Sequence, residues 1–147
     1  MILQTLFLLL TCIAQDAPQN VSAPLPCENT ATTVAQLTKC ARTEFEGAVV
    51  QMEAMYRYVL KTHQSDAVLI QNLNAAQQAW LIYRDAEMEA MFPHLEAGAY
   101  GNNGQLCWYK HLTKMTQART AHLKSWITGV PEGEVCGGSR PIAQVKD

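Results

Sequence analysis

The sequence lacks the motifs with which most enzymes hold a nucleotide, a catalytic metal or an activated nucleophile. It contains no glycine-rich phosphate loop, no His-Glu-x-x-His pair and no Gly-x-Ser-x-Gly turn. Its four histidines are scattered, and no histidine joins the cysteines in a metal-ligand spacing. Neighbouring carboxylates fall on different helix faces and do not form a catalytic pair. We therefore predict a protein that is not an enzyme and that needs neither a metal nor a cofactor.

Charge is also scarce, and neither sign dominates. Charged residues make up 16% of the chain, and 11 lysines and arginines against 13 acids leave a net charge of -2. Nucleic-acid binding needs a clustered basic surface, and an anionic membrane needs a polybasic run, so both partners are excluded. A hydrophobic content of 48% is typical of a folded globular chain, and 147 residues provide for one domain.

No apolar run is long enough to span a bilayer, which takes about 20 residues. Residues 1–14 read MILQTLFLLLTCIA, and a small residue at Ala14 or Ala17 suits a signal peptidase. We predict a signal peptide over residues 1–14, or to 17, and a periplasmic or secreted protein. The alternative is a lipid anchor at Cys12, but the threonine before this cysteine fits a lipoprotein motif poorly.

The cysteine count supports export. With Cys12 set aside, the chain keeps Cys27, Cys40, Cys107 and Cys136. An even set in a small exported domain predicts two disulfides. Two pairings stay open at this point. Either Cys40 joins Cys107 and the other two tie the tails together, or two local bridges form, Cys27–Cys40 and Cys107–Cys136.

Alternating strand patterns are absent, and apolar residues recur at helical spacing instead. The first helix is predicted to begin near Thr33, where Thr33 and Gln36 fit a capping box, and to end around residues 61–63. A second helix is predicted to begin after Ser65 or Asp66 and to end before Pro93.

A third helix is predicted over residues 106–126, after a glycine- and asparagine-rich loop at 98–105. Glycines and prolines after residue 128 exclude a further long helix. We predict an all-α fold, a small antiparallel bundle of three main helices stapled by disulfides. A flexible linker at 15–26 precedes the helical domain at 27–128, and a Gly/Pro-rich tail at 129–147 follows it.

Two arginines interrupt the apolar faces of the second and third helices. Gln77, Trp80 and Arg84 share one helical face, and Arg119 lies in the apolar face of the third helix. A charge among apolar groups is costly unless it is paired, so we expect an internal network. Its expected partners are Asp85, Glu87, Glu53, Gln77 and Thr116. The alternative is that both arginines line a groove and contact an acidic or carbohydrate partner.

These residues resemble the pattern of the LprI-type lysozyme inhibitors, an exported bacterial helical domain. The resemblance runs from about Cys27 to Trp126, and its most specific part is the block from Gln77 to Ala86. The matching residues are Cys27, Cys40, Phe45, Tyr56, Gln77, Trp80, Tyr83, Arg84, Asp85, Ala86, Thr116, Arg119 and Leu123.

The chain departs from the family pattern at several positions. Val49 sits where the family usually carries aspartate, and Met52-Glu53 replaces a Leu-Asn pair. Met88 stands where a cysteine normally follows the Arg-Asp-Ala block, and Cys107 lies about one turn before the family's matching cysteine. The family's bridge between the second and third helices is therefore expected to be missing, with Cys136 as a candidate substitute partner.

The resemblance implies a periplasmic protein that binds or blocks lysozyme or another secreted cell-wall hydrolase. Lysozymes are commonly basic, and a mildly acidic binder would complement them. The alternative is a structural or interaction module of the cell envelope without inhibitory activity. Because the family motif is expected to face inward, partner contacts are predicted at the glycine-asparagine loop and beside it. The predicted contact residues are Tyr100, Asn102, Asn103 and Trp108.

Overall fold

A computed structural model of the chain describes residues 27–143. The predicted signal peptide, Cys12 and the linker lie outside the described residues. The described part contains four α-helices: α1 (Cys27–Thr30), α2 (Val34–Thr62), α3 (Ala67–Met91) and α4 (Gly104–Thr128). A short 3₁₀ helix, Gly101–Asn103, precedes α4. The prediction of an all-α bundle with three main helices is confirmed.

The long helices begin where the capping residues predict. The hydroxyl of Thr33 accepts from the backbone N–H of Gln36 at 3.2 Å, and the Gln36 side chain accepts from the Thr33 N–H at 3.1 Å. This reciprocal pair satisfies two N–H groups that the first helical turn would otherwise leave without a partner. The Asp66 carboxylate accepts from the Leu69 N–H at 2.9 Å and begins α3 in the same way.

Helix α4 is longer than predicted because Gly104 already has helical backbone angles, φ -53° and ψ -53°. A β-carbon on Gly104 would lie 2.9 Å from Leu95 Cδ1 and 3.1 Å from Tyr100 Cβ. The absence of a side chain at Gly104 therefore lets α4 begin directly against the chain that leaves α3. Gly104, which was predicted to lie in the loop at 98–105, is therefore the first residue of α4.

The three main helices run up, down and up, so α2 and α4 are parallel. Near their starts, the ring centroids of Phe45 and Tyr109 are 6.2 Å apart. Near their ends, His63 Nε2 lies 2.9 Å from the backbone oxygen of Trp126. Because α3 runs the opposite way, its last turn lies at the same end of the bundle as the first turn of α4.

Two groups of buried side chains hold the bundle together, one towards each end. Met52, Val59, Leu73 and Leu123 form the first group, where α2 ends and α3 begins. Met88, Phe92 and Leu112 form the second, where α3 ends and α4 begins. Met88, which was described above as a departure from the family pattern, is a core residue with no exposed surface.

The described chain has one disulfide, Cys27–Cys40, with the two α-carbons 5.6 Å apart. Cys107 and Cys136 are free and exposed, so the prediction of a second disulfide is wrong. Cys107 lies in the first turn of α4, which spans about 37 Å at 1.5 Å per residue. Gly137 packs against Val130 just beyond the last turn of α4. Cys136 is therefore held at the far end of α4, out of reach of Cys107.

Removing the disulfide is expected to lower the free energy of unfolding by about 3 kcal/mol, because the bridge closes a short loop in the unfolded chain. The variant is Cys27→Ser with Cys40→Ser, and urea unfolding measures the change. The matched control, Cys107→Ser with Cys136→Ser, removes two exposed free thiols and should change stability by less than about 0.5 kcal/mol. Equal urea midpoints for the oxidised and reduced wild type would contradict this expectation.

The chain after α4 folds back on itself. The Val130 N–H donates to the Pro141 oxygen at 2.8 Å, and the Ala143 N–H donates to the Val130 oxygen at 2.7 Å. Gly129 has a φ of +77°, and a β-carbon there would lie 2.2 Å from the Pro141 oxygen. Only glycine fits this turn.

No helix between residues 27 and 143 is both long and apolar enough to cross a membrane.

Candidate functional site

The buried amide of Gln77 connects the three long helices. Its Nε2 donates to the sulfur of Met52 on α2 at 3.5 Å. Its Oε1 accepts from Arg119 Nε on α4 at 2.9 Å. Because a buried amide needs partners for its donor and its acceptor, these two contacts keep Gln77 in place. The expectation that Gln77 completes an arginine network is confirmed for Arg119.

Trp80 lies against both motif arginines. The guanidinium carbon of Arg84 is 5.5 Å from the Trp80 ring centroid, and that of Arg119 is 5.8 Å away. Both distances permit cation–π attraction. Asp85 pairs with Arg84, with Oδ1 2.7 Å from Nη2 and 2.8 Å from Nε. The motif residues predicted on one face of α3 are therefore brought together with Arg119.

Three predicted network partners do not take that role. Glu53 pairs with Arg57 instead, at 3.6 Å. Glu87 forms no salt bridge with a described residue. Thr116 is fully buried, and its hydroxyl has no hydrogen-bond partner among the described residues. Arg119 has no carboxylate partner within residues 27–143. Its charge is met by the expected amide oxygen of Gln77 and by the Trp80 ring, a contact that the sequence did not predict.

Burial sets the electrostatics of this network. Desolvation lowers the pKa of Arg119, and the nearby Tyr56 opposes that shift. Burial also raises the pKa of Tyr56, whose hydroxyl donates to the side-chain oxygen of Asn74. Arginine nevertheless stays protonated at neutral pH. The motif therefore holds a half-buried cation whose hydrogen bond to Gln77 links α4 to α3.

A groove of about 670 Å³ lies at the other end of α3. It runs between the last turn of α3, the turn after it and the start of α4, and we call it the α3–α4 groove. Its lining residues are Glu89, Phe92, Pro93, His94, Leu95, Glu96, Ala97, Gln105, Trp108 and Tyr109. The sequence predicted a partner surface in this neighbourhood, but only Trp108 belongs to both sets.

Phe92 forms the base of the groove. It is buried, and its ring centroid lies 5.7 Å from Trp108, 5.3 Å from Tyr100 and 5.6 Å from His111. Helix α3 ends at Met91 with Phe92 as its C-cap, and Pro93 cannot continue the helix because it has no backbone N–H to donate. The chain then turns over the aromatic cluster, and this turn makes one wall of the groove.

The predicted contact residues have different surroundings. Trp108 is half-buried. Tyr100 is exposed and packs edge-on against Phe92. Asn102 and Asn103 are exposed on the 3₁₀ helix, outside the groove lining. Of the four predicted contact residues, only Trp108 lines the groove, and their role in binding a partner stays a prediction.

Sequence reasoning missed the two acids of the groove. Glu89 and Glu96 are exposed on the lining, whereas no lysine or arginine lines it. The available signal was the Phe92-Pro93 pair, which places both acids close to a helix end. No cluster of histidine, cysteine or acidic residues within 27–143 is arranged to hold a metal. The groove combines aromatic walls with two carboxylates.

The domain is a three-helix bundle with a disulfide near its start. Its α3 carries a Gln-x-x-Trp-x-x-x-Arg face, and an arginine of α4 lies against that face. Together these features define a class of domain. The chain matches the family described as "Lysozyme inhibitor LprI" over residues 27–123, more than half its length, and belongs to that family. The resemblance seen in the sequence is thus confirmed. The matched region contains the disulfide, the Gln77–Arg119 network and the α3–α4 groove.

One relative is a Rhizobium meliloti (strain 1021) protein described as "Uncharacterized protein R02472". It is 29% identical, and the similarity covers 81% of this chain and 89% of the relative. No solved structure is significantly similar to the chain.

Proposed function

We propose that this protein is an exported inhibitor that binds lysozyme or a related secreted cell-wall hydrolase. Membership of the lysozyme-inhibitor family carries the proposal. The Cys27–Cys40 disulfide supports export, because disulfides persist in oxidising compartments. The predicted signal peptide supports the same route. No catalytic role is proposed for the chain.

We assign the contact surface to the end of the bundle that carries the α3–α4 groove. The motif arginines are engaged inside the molecule, Arg84 with Asp85 and Arg119 with Gln77. They are therefore poor candidates for contacts with a partner. The groove offers acidic and aromatic groups to a partner, and a basic hydrolase would complement its charge.

The test is a lysozyme assay on a cell-wall substrate. Near-stoichiometric protein should slow lysozyme, measured as the rate of turbidity loss. No effect at large excess over several lysozyme types would refute the proposal and favour the envelope-module alternative. The protein alone should not clear the substrate, and turnover without added lysozyme would instead indicate hydrolase activity.

Within this proposal, Trp108→Ala is expected to weaken inhibition by about tenfold or more. Large aromatic side chains at the centre of an interface contribute most of its binding energy. The matched control is Tyr83→Ala, which truncates an aromatic that is 55% exposed on α3 and should change inhibition less than about twofold. Circular dichroism of both variants checks that the bundle remains folded. Equal inhibition by Trp108→Ala and the wild type would place the contact surface elsewhere.

A further inference from the structure

We propose that the α3–α4 groove receives a short basic segment of a partner protein, with a lysine or arginine side chain against its aromatic wall. The identity of the partner, a secreted hydrolase, rests on the proposed function. The basic character of the bound segment is argued from the residues that line the groove. The segment would be a piece of the hydrolase surface rather than a glycan or a free anion.

Charge gives the first argument. Glu89 and Glu96 stand on the groove lining, and no salt bridge between described residues involves either carboxylate. No lysine or arginine of the described residues lines the groove. Two unpaired carboxylates beside apolar walls concentrate negative potential in the groove. A cation that binds in the groove would be attracted by both carboxylates.

The aromatic wall gives the second argument. Trp108 and Tyr109 lie on consecutive positions at the start of α4 and both line the groove. A guanidinium or ammonium group near a tryptophan or tyrosine face gains cation–π attraction, and it can pair with a carboxylate at the same time. Aromatic rings and carboxylates both border this groove, and these are the two kinds of group that bind a basic side chain.

Size and shape give the third argument. A volume of about 670 Å³ is large enough for several residues and not merely for one ion. A neutral sugar would gain little from two negative charges. These features favour a peptide segment.

The experiment measures binding of a hexa-arginine peptide by isothermal titration calorimetry, with a hexa-glutamine peptide and a chitin oligosaccharide as comparisons. We expect the basic peptide to bind the wild type, with an affinity that falls as salt is added. Glu89→Gln with Glu96→Gln should weaken binding by about tenfold or more. Binding of the chitin oligosaccharide but not of the peptide would overturn the proposal in favour of a glycan site.

The matched control is Glu132→Gln with Glu134→Gln, which removes the same charge from exposed positions in the tail beyond the opposite end of α4. It should change peptide affinity less than about twofold. Equal losses in both double variants would mean that only net charge matters and would overturn the proposal. Failure of the wild type to bind the basic peptide would overturn it too.

The lysozyme assay separates this inference from the proposed function. Unchanged inhibition by Glu89→Gln with Glu96→Gln would overturn the groove as the hydrolase contact and leave the inhibitor proposal standing. A wild type that binds the basic peptide through these acids but inhibits no lysozyme would overturn the inhibitor proposal and support the chemistry of the groove.

Discussion

Replacing Gln77 with alanine is expected to lower the free energy of unfolding by about 2–3 kcal/mol. The amide is 6% exposed and accepts from the half-buried Arg119 guanidinium at 2.9 Å. Without it, Arg119 keeps its charge but loses its side-chain acceptor, and no carboxylate among the described residues replaces it. Hydrogen bonds to charged groups contribute more than neutral ones, and the half-buried Arg119 guanidinium can regain only part of its hydration.

Urea unfolding followed by circular dichroism measures the change. Gln78→Ala is the matched control, because it alters the next residue of the same helix on an exposed position, and it should cost less than about 0.5 kcal/mol. A double-mutant cycle with Arg119→Ala should give a coupling energy of about 1–3 kcal/mol. Additive effects of the two substitutions would show that the contact contributes nothing to stability.

Truncating Met88 to alanine is expected to cost about 2–5 kcal/mol, the range for large core side chains. Met88 has no exposed surface and packs with Phe92 and Leu112 where α3 ends and α4 begins. The loss combines the transfer of its apolar atoms with the cavity that they leave. Because Phe92 also forms the base of the α3–α4 groove, the same variant should loosen that end of the bundle.

The control for Met88 is Met91→Ala, three residues further along α3, where the side chain is 41% exposed. It should change the free energy of unfolding by less than about 1 kcal/mol. Thermal unfolding of the two variants gives the comparison. Similar melting temperatures would mean that the second core group contributes little and that the bundle depends on the first group alone.

Met88 also bears on how α3 and α4 are held together. The resemblance implied a cysteine at the position of Met88 and therefore a missing bridge between α3 and α4, and Cys107 is a free thiol. Here the contact between the two helices is an apolar one, made by Met88, Phe92 and Leu112. Burial of a flexible thioether can fill such a space without a covalent bond.

Much of the fold could be predicted because its signals are local. Thr33 and Asp66 cap the helices that follow them, and both caps bond to backbone groups three residues away. Pro93 ends α3 for a reason carried by its own ring. The alignment of Gln77, Trp80 and Arg84 on one face follows from the helical repeat. Each of these inferences needs only residues within one or two turns.

The helices, their order and the shared face of Gln77 and Arg84 follow from the amino-acid sequence, since they depend on neighbours along the chain. The pairing of Cys40 with Cys27, the absence of an acid beside Arg119 within residues 27–143 and the position of Glu89 and Glu96 on one groove became clear only from the folded chain. The difference is one of distance along the sequence. Side chains far apart in sequence become partners only when packing has set how the helices lie against one another.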